Sequence, residues 1–417
     1  MTVNAPAISR AKLATPHMLR RRCPSCDGPA GDVFYEVDGA PVHDVRLHFD
    51  RAEALASPTG AIRLVTCQRC GFIWNAAFDL GLLDYGVAYE STQAFSPTFN
   101  RFHQALAEDL IRRFDLSGKT VLEIGCGQGE FLELLCRLGG NRGVGFDPAY
   151  EGPAERDGLT FVRDYYSEAH AGRSADFVCC KMTLEHIPDA GRFVGAVRRA
   201  IGDSRDTVVF FQIPDVKRIL AERAFWDIYF EHCCYFSAGS LARLFRASGF
   251  EVIDLWRGYD DQYLMIEARP GVGAWASLPI EESIADLLTE ISTFSHRVEA
   301  DKNRWRRWLD RTKASGERVV LWGGGSKAVA FLTTLGVRDD VRFAVDVNPR
   351  KTGSFLAGCG QEVVEPSFLS LYGPDLVIVM NPIYRQEITV TLARMSLAPA
   401  IVTVDEVDLL PGPPAAI

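Results

Sequence analysis

The chain has 417 residues, of which 47% are hydrophobic and 24% charged, and its formal net charge is −9. This length exceeds one ordinary hydrophobic core, so two or three domains are expected, and the composition excludes a disordered chain. The acidic balance argues against nucleic-acid binding, and we expect neither a membrane span nor a signal peptide. The odd count of 11 cysteines, several in apolar strand-like runs, favours the cytoplasm over a disulfide framework.

Two Cys-x-x-Cys pairs follow a loose polar tail over residues 1–22. Each pair presents two thiolates to one tetrahedral ion, which predicts a structural zinc site in a small domain over residues 23–90. The gap between the pairs is longer than in most zinc ribbons, whereas a redox role does not explain two copies. A closed four-thiolate site leaves no open position for chemistry, so it is expected to fold the domain. The predicted zinc ligands are Cys23, Cys26, Cys67 and Cys70.

Strand and helix patterns alternate through the second predicted domain, residues 91–270, which indicates a parallel sheet with helices on both faces. The motif EIGCGQGE follows a strand and opens a helix, so its small residues let a ligand approach free backbone amides. Asp147 ends the next strand, where a carboxylate accepts both hydroxyls of a ribose. An adenosine-containing cofactor is therefore predicted, bound by Gly125, Gly127, Gly129 and Asp147.

The glycine turn alone does not separate NAD from S-adenosylmethionine. Its GxGxG spacing favours S-adenosylmethionine, as does Glu123, which precedes the turn where a cationic methionyl amine is received. The motif LEHIPD and the final order of helix, SGF turn and two strands resemble class I methyltransferases, whose last strand pair is reversed. That resemblance implies S-adenosylmethionine as the cofactor. It also suggests Asp164 as an adenine-contacting acid, with a solvated loop residue as the alternative.

A helical run opens the third predicted domain, residues 271–417, and its apolar residues recur every three or four positions. The sheet pattern then restarts, which predicts a second Rossmann-like unit. In this unit GGGSK is suited to hold a diphosphate, with Lys327 supplying charge, and Asp346 ends the next strand as a ribose-binding acid does. A redox dinucleotide site and a purely structural lobe are the alternatives.

The complete architecture resembles the sugar C-methyltransferases, which act on nucleotide-linked keto-deoxysugars. Four stretches carry the resemblance: CPSC…CQRCGFIWN, YGVAYEST, YFEHCCYFS and GGGSKAVAFL…VDVNPRKTG. The resemblance implies an α/β protein in which a class I methyltransferase Rossmann-like domain lies between a four-cysteine zinc domain and a C-terminal Rossmann-like domain. It also implies that this last domain helps to hold a small-molecule substrate, a nucleotide-linked keto-sugar.

The block WDIYFEHCCYFS is the predicted catalytic segment. Methylation of a carbon next to a ketone requires removal of the α proton, and histidine suits this role because its pKa lies near the operating pH. His232 is the predicted base, and His186 in LEHIPD is the second candidate. The structural alternative is a satisfied Glu-His pair before a helix capped by Ser237.

The aromatic and acidic neighbours of His232 have predicted supporting roles. Glu231 and Tyr229 orient the imidazole or the sugar hydroxyls, and Tyr89 or Tyr235 donates to the developing oxyanion. The leading hypothesis is a C-methyltransferase that works through an enolate. An O- or N-methyltransferase on the same scaffold is the alternative, and a non-catalytic zinc-dependent scaffold is the third.

Overall fold

The structure is a computed structural model that describes residues 19–83, 89–170, 175–202, 204–273 and 276–409. Most of the predicted tail and the first four residues of the YGVAYEST motif lie outside these ranges. Within them the strands form three sheets, one for each predicted domain. In the described parts of the chain, no helix is long and apolar enough to cross a membrane.

The first sheet is antiparallel, with the strand order β1-β2-β3-β10. Its strands are β1 (Ala30–Pro41), β2 (Thr59–Cys67), β3 (Ile73–Asn75) and β10 (Cys234–Tyr235), and α1 (Arg51–Leu55) lies between β1 and β2. The fourth strand comes from the YFEHCCYFS block, which the sequence analysis places in the second domain. Cys234 pairs with Trp74 and Tyr235 with Ile73, so the predicted catalytic block is attached to the cysteine domain.

The second sheet has eight strands in the order β11-β12-β9-β8-β4-β5-β7-β6. They are β4 (Thr120–Ile124), β5 (Arg142–Phe146), β6 (Glu155–Arg156), β7 (Leu159–Val162), β8 (Phe177–Lys181), β9 (Val208–Pro214), β11 (Phe250–Gly258) and β12 (Tyr263–Pro270). Its central strands are parallel, and β12 runs antiparallel between β9 and β11. This reversed strand confirms the predicted class I methyltransferase fold.

Helices cover both faces of this sheet because its central strands are apolar on both sides. They are α2 (Pro97–Phe114), α3 (Glu130–Gly139), α4 (Ala190–Ile201) and α6 (Ala238–Ala247). Helix α5 (Val216–Glu222) instead packs into the core cluster of the C-terminal lobe. As the sequence indicates, Ser237 caps α6: its hydroxyl accepts from the backbone amide of Ser240, whose hydroxyl accepts in turn from the Ser237 amide.

The third sheet is entirely parallel, in the Rossmann-like order β15-β14-β13-β16-β17. Its strands are β13 (Val319–Trp322), β14 (Phe343–Val345), β15 (Glu362–Val364), β16 (Leu376–Val379) and β17 (Ala400–Thr403). Its helices are α8 (Ser326–Leu335), α9 (Leu369–Tyr372) and α10 (Arg385–Arg394). The long helix α7 (Ile284–Ser315) precedes this sheet.

Helix α7 joins the first sheet to the third through one apolar stripe. Near its start Phe294 packs edge-on against Tyr35 of β1, with ring centroids 5.4 Å apart. Eleven residues further along the helix, Trp305 packs edge-on against Phe331 of α8, with ring centroids 5.0 Å apart. Phe225 stacks on the Phe331 ring at 5.8 Å. A single core cluster therefore runs from the cysteine domain to the C-terminal lobe.

Candidate active site

A large cavity of about 1650 Å³ lies at the carboxyl ends of the parallel strands of the second sheet. Its lining includes Tyr89 from the segment before α2, Asp147 and His232 from the second unit, and Lys327 from the C-terminal lobe. All three parts of the chain thus reach one space. Ligands of open α/β sheets bind at this edge, which makes the cavity the candidate active site.

The glycine turn between β4 and α3 forms part of the cavity wall. Gly125 has a φ of 69°, and a Cβ there would lie 2.0 Å from the Thr183 hydroxyl. Gly129 has a φ of 90°, and its Cβ would lie 2.5 Å from the Phe161 ring. Both positions therefore require glycine, because the backbone conformation and the close packing exclude a side chain.

Asp147 is fixed at the end of β5 by two backbone amides. Its Oδ2 accepts from Gly127 N at 2.9 Å, and its Oδ1 accepts from Ala149 N at 2.8 Å. Burial raises the pKa of this carboxyl, although the two amides oppose the rise. Asp164 lies further along the cavity lining, where its Oδ1 accepts from Tyr165 N at 2.8 Å and its Oδ2 is 3.6 Å from His170 Nε2.

Glu123 ends β4 inside the cavity, and only 3% of it is exposed. Its Oε2 has no hydrogen-bond partner among the described residues, and burial raises its pKa to about 8. Lys181, at the end of β8, also lines the cavity, and its Nζ donates to His103 Nε2 at 2.8 Å. Sequence reasoning missed Lys181 and His103, although a lysine that ends the apolar strand FVCCK was a signal.

The two predicted bases lie side by side. The rings of His186 and His232 meet edge-on with centroids 4.8 Å apart, and the Tyr229 ring is 4.2 Å from that of His232. Burial, followed by the nearby His186 and Lys327, lowers the pKa of His232 well below its usual value. His232 is therefore a neutral imidazole at neutral pH.

Glu185 is a further residue of this site that sequence reasoning missed. One of its carboxylate oxygens lies within 4.8 Å of a ring nitrogen of each histidine. Both of its oxygens are buried without a partner among the described residues, and burial raises its pKa to about 8. It follows the end of β8 in the motif LEHIPD, in a 3-10 helix (Leu184–His186).

Glu231 turns toward the N-terminal part of the chain. Its Oε2 accepts from the Tyr89 hydroxyl at 2.6 Å, and its Oε1 accepts from Asp44 N at 3.1 Å. The hydroxyl of the buried Tyr235 donates to the backbone oxygen of Tyr229 at 3.3 Å. The structure thus brings together Tyr89 and Glu231, which the sequence could not join, and it puts Tyr235 in the core beneath Tyr229.

Comparison with known proteins agrees with this geometry. A methyltransferase-domain model matches residues 99–255, and a model described as the C-methyltransferase C-terminal domain matches residues 277–400. C-methyltransferase NovU of Streptomyces niveus is 27% identical over 349 residues, which cover 78% of this chain and 81% of that protein. The chain is an S-adenosylmethionine-dependent methyltransferase, and it is similar to a C-methyltransferase over most of its length.

Two further proteins are similar over shorter stretches. The ubiquinone biosynthesis O-methyltransferase of Escherichia coli (strain K12 / DH10B) is 33% identical over 106 residues, 23% of this chain and 43% of that protein. The solved structure of Burkholderia thailandensis 1,6-didemethyltoxoflavin-N1-methyltransferase covers 42% of this chain and 81% of that one, with 20% identity and a TM-score of 0.34.

In this methyltransferase the C-terminal lobe repeats the hydrogen bonds of the glycine turn. Asp346 Oδ2 accepts from Gly324 N at 3.0 Å and its Oδ1 from Asn348 N at 2.9 Å, as Asp147 does in the second unit. Lys351 Nζ adds a contact to Asp346 at 3.2 Å. The Lys327 ammonium pairs with the Asp227 carboxylate, so it links the lobe to the segment before His232.

The four predicted zinc ligands of this methyltransferase do converge. The sulfurs of Cys23 and Cys70 are 3.6 Å apart, those of Cys26 and Cys67 are 3.5 Å apart, and all four lie within 4.8 Å of one another. Zinc–sulfur bonds of about 2.3 Å in a tetrahedron require sulfurs about 3.8 Å apart, so the cluster fits a tetrahedral ion. None of the 11 cysteines forms a disulfide bond, which agrees with the prediction that the chain has no disulfide framework.

Proposed function

We propose that this enzyme transfers a methyl group to the carbon next to a ketone of a nucleotide-linked deoxysugar, by way of an enolate. The observation that carries the proposal is the position of His232: a buried, neutral imidazole on the wall of the cavity that also contains the cofactor turn. S-adenosylmethionine supplies the electrophilic methyl group. Holding both reactants in one pocket provides much of the acceleration.

His232 acts as the general base in this proposal. A neutral imidazole has a lone pair that accepts the α proton, and its proton affinity rises when an enolate forms beside it. Tyr229 packs on the ring at 4.2 Å and holds its orientation. His186 contacts the same ring edge-on and takes the second place among candidate bases.

Tyr89 and Glu231 are proposed to act as one unit. Their hydrogen bond of 2.6 Å uses the only hydroxyl proton of Tyr89, so the pair presents acceptor oxygens on the cavity wall, which suit the sugar hydroxyls. Tyr235 supports the substrate site indirectly, since its hydroxyl donates to the backbone oxygen of Tyr229 and holds that backbone in place.

Glu123, the glycine turn, Asp147 and Asp164 are proposed to hold the cofactor. Asp147 accepts hydrogen bonds from the ribose hydroxyls, and Asp164 contacts the adenine. The unpaired oxygen of Glu123 binds the methionyl ammonium. Zinc is proposed at the four cysteines with a structural role, because four thiolates complete its tetrahedral coordination.

The C-terminal lobe is proposed to hold the nucleotide half of the substrate. Helix α8 begins next to the cavity without a side-chain cap at Gly325, and its amides attract a diphosphate. The amide nitrogen of Asn348 is buried without a partner among the described residues, and the residue lines the same cavity. Lys327 and Asp346 contribute charge and shape to this side.

The position of the new methyl group tests the proposal against O- or N-methylation. A panel of nucleotide-linked keto-sugars is incubated with S-adenosylmethionine that carries a ¹³C-labelled methyl group. We expect a product whose labelled carbon shows the chemical shift of a methyl group bonded to carbon. A labelled methyl group with the chemical shift of a methoxy or N-methyl group would contradict the proposal and would favour O- or N-methylation.

A further inference from the structure

Three side chains, the buried Glu123 and Lys181 and the half-buried His103, form a group that we call the head-group cluster. Glu123 and Lys181 project from the same face of the second sheet, because the register partner of Glu123 is Cys179, two residues before Lys181. His103 comes from α2, which packs over this face. All three line the cavity directly beside the glycine turn.

Glu123 and Lys181 do not pair with each other in the described structure. Lys181 is 8% exposed; its ammonium donates to His103 Nε2 at 2.8 Å and lies 3.6 Å from the centre of the Phe131 ring. It forms no ion pair with a carboxylate among the described residues, and Glu123 Oε2 has no partner there. An ammonium has three donors, so Lys181 retains one for a ligand. Burial of a carboxyl group and an ammonium group that do not pair with each other costs free energy, unless a ligand pairs with both.

We propose that Lys181, positioned by His103, binds the carboxylate of the cofactor's methionyl group while Glu123 binds its ammonium. The amino-acid head of S-adenosylmethionine is a zwitterion, and the cluster offers one opposite charge to each of its ends. In the proposed site Asp147 binds the ribose on one side of the glycine turn. The head-group cluster lies on the other side, where the amino-acid end of an extended cofactor is expected. This inference rests on the cofactor site proposed above.

The protonation of the cluster supports this pairing. Burial raises the pKa of Glu123 to about 8 and lowers that of Lys181 to about 8, so neither group is held firmly in its charged form. His103 is neutral, because burial and then Lys181 lower its pKa to about 2. It accepts from Lys181 without competing for the ligand. His103 is therefore a positioning residue, and Lys181 is the binding residue.

The test compares two ligands that share adenosine and differ in the amino-acid head: S-adenosylhomocysteine and 5′-methylthioadenosine. By calorimetry, Lys181→Met should bind S-adenosylhomocysteine roughly 10- to 100-fold more weakly, the value of a charge-assisted hydrogen bond, and 5′-methylthioadenosine as tightly as wild type. The exposed Lys313→Met is the matched control and should change neither affinity. Unchanged affinity for S-adenosylhomocysteine, or equal losses for both ligands, would overturn the assignment.

A second comparison begins with the wild-type enzyme alone. Wild-type enzyme should bind decarboxylated S-adenosylmethionine roughly 10- to 100-fold more weakly than S-adenosylmethionine, whereas Lys181→Met should bind both with similar affinity. Equal wild-type affinities would overturn the role of Lys181. Asp147→Ala separates this failure from failure of the cofactor site itself. It should weaken both adenosine ligands, and unchanged binding of both would mean that the adenosine lies elsewhere.

Discussion

Single side chains at the carboxyl ends of two strands control the charge of the cofactor site. Glu123 has a raised pKa of about 8, so at pH 7 the free enzyme holds a proton on it. In the proposed binding mode a methionyl ammonium lies beside Glu123 and lowers that pKa, so that the proton leaves. Binding of the cofactor is thereby linked to pH, and affinity should rise as the pH increases from 6 to 8.

This linkage predicts that S-adenosylhomocysteine binding at pH 7 releases most of one proton. Calorimetric titrations in buffers of different ionisation enthalpy measure this number directly. Glu123→Gln should bind without proton release, because an amide does not titrate. A binding enthalpy of the wild type that is independent of the buffer would show that Glu123 is already ionised in the free enzyme.

At the same scale, the sequence predicted those site residues whose role follows from local pattern. The glycine turn and Asp147 follow from one strand, one turn and one helix that are consecutive in the chain. Lys181 was missed because its partner His103 comes from α2, and Glu185 was missed because His232 lies beside it only in the folded chain. The partners of Glu231 were also beyond sequence reasoning, since Tyr89 and Asp44 are 142 and 187 positions away.

At the scale of elements, the short strand β10 connects the cysteine cluster with the chemistry. It pairs with β3 a few residues after Cys67 and Cys70, and it immediately follows His232. The sequence indicated both motifs but not their pairing, because a two-residue strand has no periodicity to detect. The cysteine domain thus contributes to the wall of the active site and shares a strand with the catalytic segment.

Cys67→Ser should therefore separate cofactor binding from turnover. Loss of one thiolate weakens metal binding and loosens β2 and β3, while the glycine turn and Asp147 remain in the second sheet. We expect the zinc content to fall well below one per chain and methyl transfer to fall more than tenfold. S-adenosylhomocysteine affinity should stay within about threefold. Cys359→Ser is the matched control, since its buried thiol lies in the C-terminal lobe. Full activity in zinc-free Cys67→Ser enzyme would contradict this coupling.

At the scale of the whole molecule, the C-terminal lobe is fastened to the rest of the chain by packing and by buried polar pairs. Phe331 of α8 contacts both Trp305 and Phe225, and the side-chain amides of Gln262 and Asn381 bond reciprocally at 2.9 and 3.0 Å. Three units in this order were predictable from motif spacing. Their packing into one core was not, because it depends on contacts between residues distant in the chain.

Phe331→Ala should lower the free energy of unfolding by about 3–5 kcal/mol, since a fully buried ring leaves a cavity between the lobe and α7. Urea unfolding monitored by tryptophan fluorescence measures the change, because Trp305 lies against the ring. The exposed Leu371→Ala should change stability by less than about 0.5 kcal/mol. A cost similar to that of Leu371→Ala would mean that the lobe is not fastened through this ring.

Removal of the α proton by His232 is tested most directly by solvent exchange. A nucleotide-linked keto-sugar that the enzyme methylates is incubated in D₂O without S-adenosylmethionine, and uptake of deuterium at the carbon next to the ketone is followed by mass spectrometry. Wild-type enzyme and the exposed-histidine control His296→Asn should exchange this proton. His232→Asn should bind S-adenosylhomocysteine normally and exchange on the order of a hundredfold to ten-thousandfold more slowly. Exchange by His232→Asn at the wild-type rate would contradict the assignment of His232 and leave His186 as the candidate base.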